Sequence, residues 1–307
     1  MNIFAYLENF LGSRIVEKLK ESIKLYNLPC IRVNTLKIRV KELTDRLESK
    51  GWQLKPVPWC SYAFFVEKHS EDKIGKAVEH TLGYFYTQDA GSLVPVIALD
   101  PKENEDILDL CAAPGSKTTQ IAQLMKNKGA IVANDVSVKR LRALRFNLQK
   151  CGVANCVVTL YDGRKFHELG LKFDRILVDA PCTATGKLIG YEAKSVLASW
   201  RPWAARRLAR LQRRLLESAI QCAKKGGTIV YSTCSIDPIE NELVVDKLLQ
   251  KHENMKIEKV KIKGLDCEPA LTKFGDFEVS SELEKAIRFY PWQNNCEGFF
   301  VCKLRVC

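Results

Sequence analysis

From Asp106 onward the chain alternates strand-like and helix-like segments, and this rhythm restricts the fold more than any other feature. The apolar runs DILDLC, AIVAND, CVVTLYD, FDRILVDAP and GTIVYSTCS alternate with segments of helical spacing, among them KTTQIAQLM, VKRLRALRFNLQK and PIENELVVDKLLQ. Such alternation predicts an α/β fold, a mostly parallel, Rossmann-like sheet with helices on both faces. Lys256–Ile262 and Gly298–Arg305 read as further strands that complete one edge, one of them antiparallel, which makes a seven-stranded sheet. The preceding residues read differently. One long amphipathic helix is followed by a strand over Pro29–Lys37, a helix over Val40–Trp52 and short strands near Ser61–Glu67 and Gly83–Thr87, a small α+β module. The chain therefore divides into residues 1–92 and residues 93–307.

Charge is concentrated in one place. The 307 residues carry a net charge of +12, yet residues 194–225 hold nine Lys and Arg against one acid. That segment reads as a loop with Trp200 and Trp203, then a helix apolar at Leu208, Leu211, Leu215 and Ala219 with Arg206, Arg207, Arg210, Arg213 and Arg214 on its polar side. Two readings are open, a solvated helix face and a phosphate-contacting one. No window of about eighteen apolar residues occurs, so no membrane span is expected, and the absence of an export signal points to the cytoplasm. Twelve cysteines without a CxxC pair and only four histidines argue against a metal site.

The turn after the first strand of the alternating region, DLCAAPGSKTT (Asp109–Thr119), has small residues that let the backbone approach a ligand, and it opens a helix whose N-terminus attracts anionic or polar atoms. It is neither a GxGxxG fingerprint nor a P-loop, because Ser116 separates Gly115 from Lys117. Asp135, Asp162 and Asp179 fall at successive strand ends, where ligands of open α/β sheets bind. A carboxylate at Asp135 suits two ribose hydroxyls, and one at Asp162 suits an exocyclic amine. Cys182, in DAPC, and Cys234, in STCS, end adjacent strands and so share the mouth of the same crevice.

The motifs DLCAAPGSKTT, VANDVSVKRL, DAPC, GTIVYSTCSIDPIENE and RFYPWQNNCEGFFVCKL, together with IRVNTLK and FYTQDAGS, resemble the NOL1/NOP2/Sun family of S-adenosylmethionine-dependent RNA cytosine-5 methyltransferases. Within that family the chain is most similar to the compact archaeal transfer-RNA enzymes. The resemblance implies a class I methyltransferase domain, an N-terminal RNA-recognition module, S-adenosylmethionine as cofactor, tRNA as partner and a monomer without metal. It assigns Cys111, Ala112, Ala113, Pro114, Gly115, Ser116 and Lys117 to the methionine part of the cofactor, Asp135 to its ribose, Asp162 to its adenine and Arg140 to the adenosine pocket. Cys234 would be the nucleophile, Asp179 a partner of the target base near the cofactor, and Cys182 an aid to product release, with Lys117 favouring the thiolate.

Those roles match the chemistry that cytosine requires. Its carbon 5 is a poor nucleophile until a thiolate adds to carbon 6, and a carboxyl group of raised pKa at ring nitrogen 3 then stabilises the displaced charge. Two competing readings make Cys182 the nucleophile, or make the protein an RNA-binding scaffold. One departure from the family pattern is the run Cys182-Thr183-Ala184-Thr185-Gly186, where many members have Ser-Gly or Thr-Gly after the cysteine. In the N-terminal module, Arg32, Asn34, Lys37 and Lys41, with Trp52, Trp59 and Tyr62, are candidates for gripping phosphates and stacking bases.

Overall fold

The computed structural model describes residues 2–25, 27–70 and 73–307. The expected long N-terminal helix is two helices, α1 (Ile3–Leu11) and α2 (Ser13–Ser22), because Gly12 between them sits at φ 79°, outside the helical range. Then follow β1 (Cys30–Val33), α3 (Val40–Glu48), β2 (Gln53–Val57), β3 (Cys60–Lys68), α4 (Val78–Thr81) and β4 (Phe85–Thr87). The four strands pair antiparallel in the order β2-β3-β1-β4.

The alternating region begins with α5 (Val94–Leu99), β5 (Asp106–Asp109), α6 (Ser116–Leu124), β6 (Ala130–Asp135), α7 (Val138–Cys151), β7 (Cys156–Leu160) and β8 (Phe173–Asp179). It continues with α8 (Glu192–Ser199), α9 (Ala204–Cys222), β9 (Ala223–Thr233), α10 (Glu242–Leu249) and β10 (Met255–Glu258). Short strands β11 (Glu268–Pro269), β12 (Lys273–Phe274), β13 (Phe277–Glu278) and β14 (Ile287–Phe289) precede β15 (Phe299–Val306). Local chemistry sets several ends: the Ser137 side chain caps the start of α7, and Gly152 in the left-handed region stops it.

Strands β9-β8-β5-β6-β7 are parallel neighbours, as the alternation predicts. Among the described residues nine strands join this sheet rather than seven, and its antiparallel edge is larger than the single strand expected. Beside β9 lies β15, whose outer edge is shared by β14 at one end and β10 at the other, with β11 beyond β14. Strands of two or three residues are too short to show a period of two, which is why the sequence hides them.

The central strands are buried on both faces. Leu108, Ile176, Val178 and Ile229 join α1, α2, α9 and α10 in one core, while the intervening Ile107, Leu177 and Val230 join α5 and α6 in another. Between β5 and β8 the strand order reverses, opening a crevice at the carboxyl ends of the strands.

The candidate RNA contacts of the N-terminal module are instead joints within the protein. Arg32 is fully buried and donates to the Ser116 carbonyl at 2.7 Å, to Gln88 Oε1 at 3.0 Å and to Thr119 Oγ1 at 2.7 Å, so it holds the start of α6. Asn34 donates to the carbonyls of Gly83 and Cys151, and the Lys37 ammonium to those of Leu82 and Lys150. Trp52 and Trp59 are core residues, and the Tyr62 hydroxyl accepts from Gln120. Lys41 is exposed and pairs with Asp45 at 3.0 Å. The second domain covers the polar side of β1.

Candidate active site

The crevice holds two chambers that meet at Cys111, Arg140 and Pro181. The first, about 310 Å³, is lined by Asp135, Asp162, Asn134 and Leu110 and closed by Leu211 and Leu215 of α9. Asp135 accepts from the backbone N–H of Ser137 at 2.9 Å and of Ala113 at 3.3 Å, which fixes its carboxylate at the rim. Arg140 pairs with Asp135 at 3.1 Å and also donates to the Ala113 carbonyl, so it stands at the junction between chambers. Asp162 is held by Arg164, whose hydrogen bonds keep its carboxyl below the usual carboxylate range. A chamber lined by Leu110, Leu211 and Leu215 together with the carboxylates of Asp135 and Asp162 suits a flat, amine-bearing ring joined to a diol.

The second chamber, about 440 Å³, is walled by Cys111, Ala112, Ala113, Pro114, Ser116 and Lys117 on one side. Gly115 does not face it. With φ 104°, and with a β-carbon there falling 2.8 Å from Leu144 Cδ1, Gly115 makes the turn into α6 possible. Below the turn, Asp109 is buried; its Oδ2 accepts from Thr118 at 2.7 Å while its Oδ1 has no partner among the described residues. Burial pushes its carboxyl up to about 7. The rim carboxylates, the helix N-terminus and this orphaned oxygen fit S-adenosylmethionine, whose amino acid and nucleoside ends need such groups.

The opposite side brings the sequence-predicted reactive residues together. Cys182 Sγ and Cys234 Sγ are 3.2 Å apart, and both line the chamber. The hydrogen bond from the Cys182 thiol lowers the Cys234 pKa, against burial and Asp179 and with help from Lys187 and Lys117. Cys182 is raised well above a free thiol by the same contact and by burial. These influences favour the charged form at Cys234 over Cys182. Lys117 Nζ lies 2.8 Å from Asp179 Oδ2 and 3.0 Å from Ser92 Oγ, above the Phe299 ring, and Asp179 Oδ1 accepts from the Ser232 hydroxyl at 2.8 Å. Asp179 therefore meets a cation rather than an apolar wall.

Three charged residues of the chamber had no role in the sequence reading. Lys187 pairs with Glu297 at 2.6 Å, and Glu297 is buried against Asp89, which accepts from the Glu297 backbone N–H at 3.2 Å. Asp89 and Glu297 lay inside the motifs FYTQDAGS and CEGFF, but nothing local showed that the two motifs touch. The departing run Thr183-Ala184-Thr185 is anchored from beneath. Glu240 accepts from the Thr183 backbone and hydroxyl, and the Thr185 and Ser235 hydroxyls are 2.8 Å apart. Ala184 occupies the left-handed region at φ 56°, where a glycine fits without strain.

Residues 96–305 match the family described as 16S rRNA methyltransferase RsmB/F, and residues 2–90 match the N-terminal domain of 16S rRNA methyltransferase RsmF. The chain belongs to the RsmB/F family. This is the NOL1/NOP2/Sun family that the motifs resemble. One similar protein is the tRNA (cytosine(49)-C(5))-methyltransferase of Pyrococcus abyssi, 42% identical over 280 residues, which are 90% of this chain and 88% of that protein. The ribosomal RNA small subunit methyltransferase F of Klebsiella pneumoniae is 40% identical over 90% of this chain but only 56% of its own length. The chain thus spans little more than half of the bacterial members it matches. Among solved structures, a methyltransferase homolog protein from Pyrococcus horikoshii superposes with a TM-score of 0.87 at 38% identity, covering 99% of this chain and 94% of that one. NSun6 from the same organism, solved with SFG, an analogue of S-adenosylmethionine, gives 0.86 at 27% identity, covering 99% and 97%.

Proposed function

We propose that this RsmB/F family protein transfers a methyl group from S-adenosylmethionine to carbon 5 of cytosine in tRNA, through a covalent bond between Cys234 Sγ and carbon 6 of the base. The observation that carries the proposal is the pair of sulfurs 3.2 Å apart in the chamber that the Cys111–Lys117 turn also walls. The cofactor, held by that turn with Asp135 at its ribose, Asp162 at its adenine and Arg140 between the chambers, supplies an electrophilic methyl group. Cys234, as thiolate, adds to carbon 6 and makes carbon 5 electron-rich. Charge displaced toward ring nitrogen 3 meets the Asp179–Lys117 pair, which can deliver a proton there and take it back. Once carbon 5 carries the new methyl group, with S-adenosylhomocysteine as the other product, the carbon-5 proton passes to solvent water in the open chamber. The electron pair left behind forms the C5–C6 double bond, and the carbon–sulfur bond breaks with Cys234 leaving as a thiolate, stabilised again by the Cys182 S–H.

The tRNA assignment draws on the P. abyssi relative, of which this chain covers 88%. A second reading, ribosomal RNA, draws on the family descriptions and on the K. pneumoniae relative. Labelled S-adenosylmethionine with tRNA and 16S rRNA transcripts in parallel separates the two, and mapping of the modified base identifies the carbon-5 product. RNA bearing a mechanism-based cytosine analogue should form a denaturation-resistant adduct with the wild type and with Cys182→Ala, and none with Cys234→Ala. Methyl transfer should fall at least about a thousandfold in Cys234→Ala. An adduct that survives in Cys234→Ala and vanishes in Cys182→Ala reverses the two cysteines; failure of every RNA to accept label leaves the scaffold reading.

A further inference from the structure

Helix α9 carries much of the protein's surplus positive charge, and its surroundings show what that charge faces. Arg206, Arg210 and Arg213 recur at spacings of four and three, on one side of the helix. With Lys247 of α10 they ring a groove of about 170 Å³ whose floor includes Ile239 and Phe277, and no acidic side chain lines it. Among the described residues none of these four cations has an ion pair or a side-chain hydrogen bond. Lys102, Lys126 and Lys128, at the other pole of the sheet, are each paired with a carboxylate. A merely solvated helix face intersperses opposite charges; cations crowded without them repel one another until a polyanion arrives.

The height of the helix places this groove on the active-site side of the sheet. Gln212 Nε2 donates to the Pro181 carbonyl at 2.9 Å, one residue from Cys182. A helix that precedes its parallel strand runs opposite to it, so the eight residues before Gln212 project about 12 Å past the strand ends. Arg206 and Arg210 therefore stand above the level of the two sulfurs, and Arg213 near it. At the tip Trp203 is 58% exposed with the Arg207 guanidinium 5.5 Å above its ring.

We infer that this groove binds the phosphodiester backbone of the RNA strand that enters the reaction chamber, with Trp203 as a stacking surface for an unpaired base. The inference rests on the proposed function and adds where the RNA lies. The full-length variant Arg206→Gln/Arg210→Gln/Arg213→Gln keeps good helix formers and removes three charges. Its binding to a fluorescent, unmodified tRNA transcript should weaken roughly ten- to a hundredfold at 0.1 M salt, and the slope of log affinity against log salt should become shallower by about 2. The RNA KM should rise in parallel, with kcat at saturating RNA and the affinity for S-adenosylmethionine unchanged; the latter also verifies the fold. Replacing the same three arginines by lysine should restore the salt slope. The triple Lys102→Gln/Lys126→Gln/Lys128→Gln, with the same loss of charge, should leave RNA affinity within about threefold. Equal effects of the two glutamine triples, or none from either, overturn the inference and return α9 to a solvated face. A salt-independent loss of binding also overturns it. If the wild type methylates RNA and the α9 triple binds it normally, only this inference fails; if the wild type methylates no RNA, the proposed function fails, and the salt slopes still report on the groove.

Discussion

The two chambers of the crevice are built in opposite ways. Most of the polar wall of the cofactor-side chamber comes from short stretches: Asn134 and Asp135 with their neighbours Ser137 and Arg140, and Asp162 with its neighbour Arg164. The reaction chamber is assembled from distant segments, with Asp89, Lys117, Asp179 to Lys187, Cys234 and Glu297 brought within one another's reach. Local construction tolerates change in the rest of the molecule, whereas long-range construction depends on each joint between segments. Substitutions should therefore separate the two: those in the first chamber should alter cofactor affinity alone, and those at the joints of the second should alter stability, thiol chemistry or both.

The largest effect is expected at Gly186. Its backbone N–H donates to the Cys234 carbonyl at 2.9 Å and its carbonyl accepts from Gly298 at 2.8 Å. A β-carbon there would lie 2.0 Å from the Gly298 oxygen, so Gly186→Ala should cost about 3 kcal/mol in denaturant unfolding and uncouple the three segments. A stability within 0.5 kcal/mol of wild type would show that the joint is looser than its contacts indicate. Asp135→Ala comes next. S-adenosylmethionine affinity measured by calorimetry should fall roughly tenfold to a hundredfold through loss of a charge-assisted hydrogen bond, with RNA binding and Cys234 alkylation unaltered.

A smaller change tests the charges around Cys234. Cys182, Lys187 and Lys117 lower its pKa, while burial and Asp179 raise it. Removing a cation favours the neutral thiol, so Lys187→Met should move the pH midpoint of Cys234 alkylation upward, by about one unit or less. A downward shift would show that Lys187 does not favour the thiolate of Cys234. The smallest effect is expected from Ala184→Gly, which relieves a left-handed alanine at the edge of the reaction chamber and should stabilise the protein by about 0.5–1 kcal/mol in thermal or denaturant melts. Unchanged methyl transfer in that variant would show that the departure from the family's glycine affects folding rather than substrate choice.

The N-terminal module shows where sequence reading went astray. Arg32 and Asn34 alternate with Ile31 and Val33, a pattern that normally marks a half-solvated strand, yet all four are buried because α6 and neighbouring loops cover the polar side. The polar groups are satisfied by carbonyls and hydroxyls of the other domain, which makes them joints rather than ligands for RNA. On α9 the burial stripe runs through Ala205, Ala209, Gln212, Leu215, Leu216 and Ala219, so of the apolar positions that periodicity favoured Leu215 and Ala219 are buried while Leu208 and Leu211 are half-buried. Small residues there admit close packing, a preference that a hydrophobicity pattern does not register.

By itself the sequence determined the parallel core of the sheet, the turn into α6, the carboxylates at successive strand ends and the convergence of two cysteines on one mouth. Each follows from a period, a cap or a strand end within about ten residues, and interactions of that range are encoded locally. Tertiary structure alone decided how close the two sulfurs stand and which charges bias them, because that depends on a contact of 3.2 Å and on Lys117 and Lys187 from two other segments. It also decided that Lys187, Glu297 and Asp89 belong to the chamber. Electrostatic energies depend on distance in space, and residues 208 positions apart in the chain carry no signal of that distance until the backbone has folded.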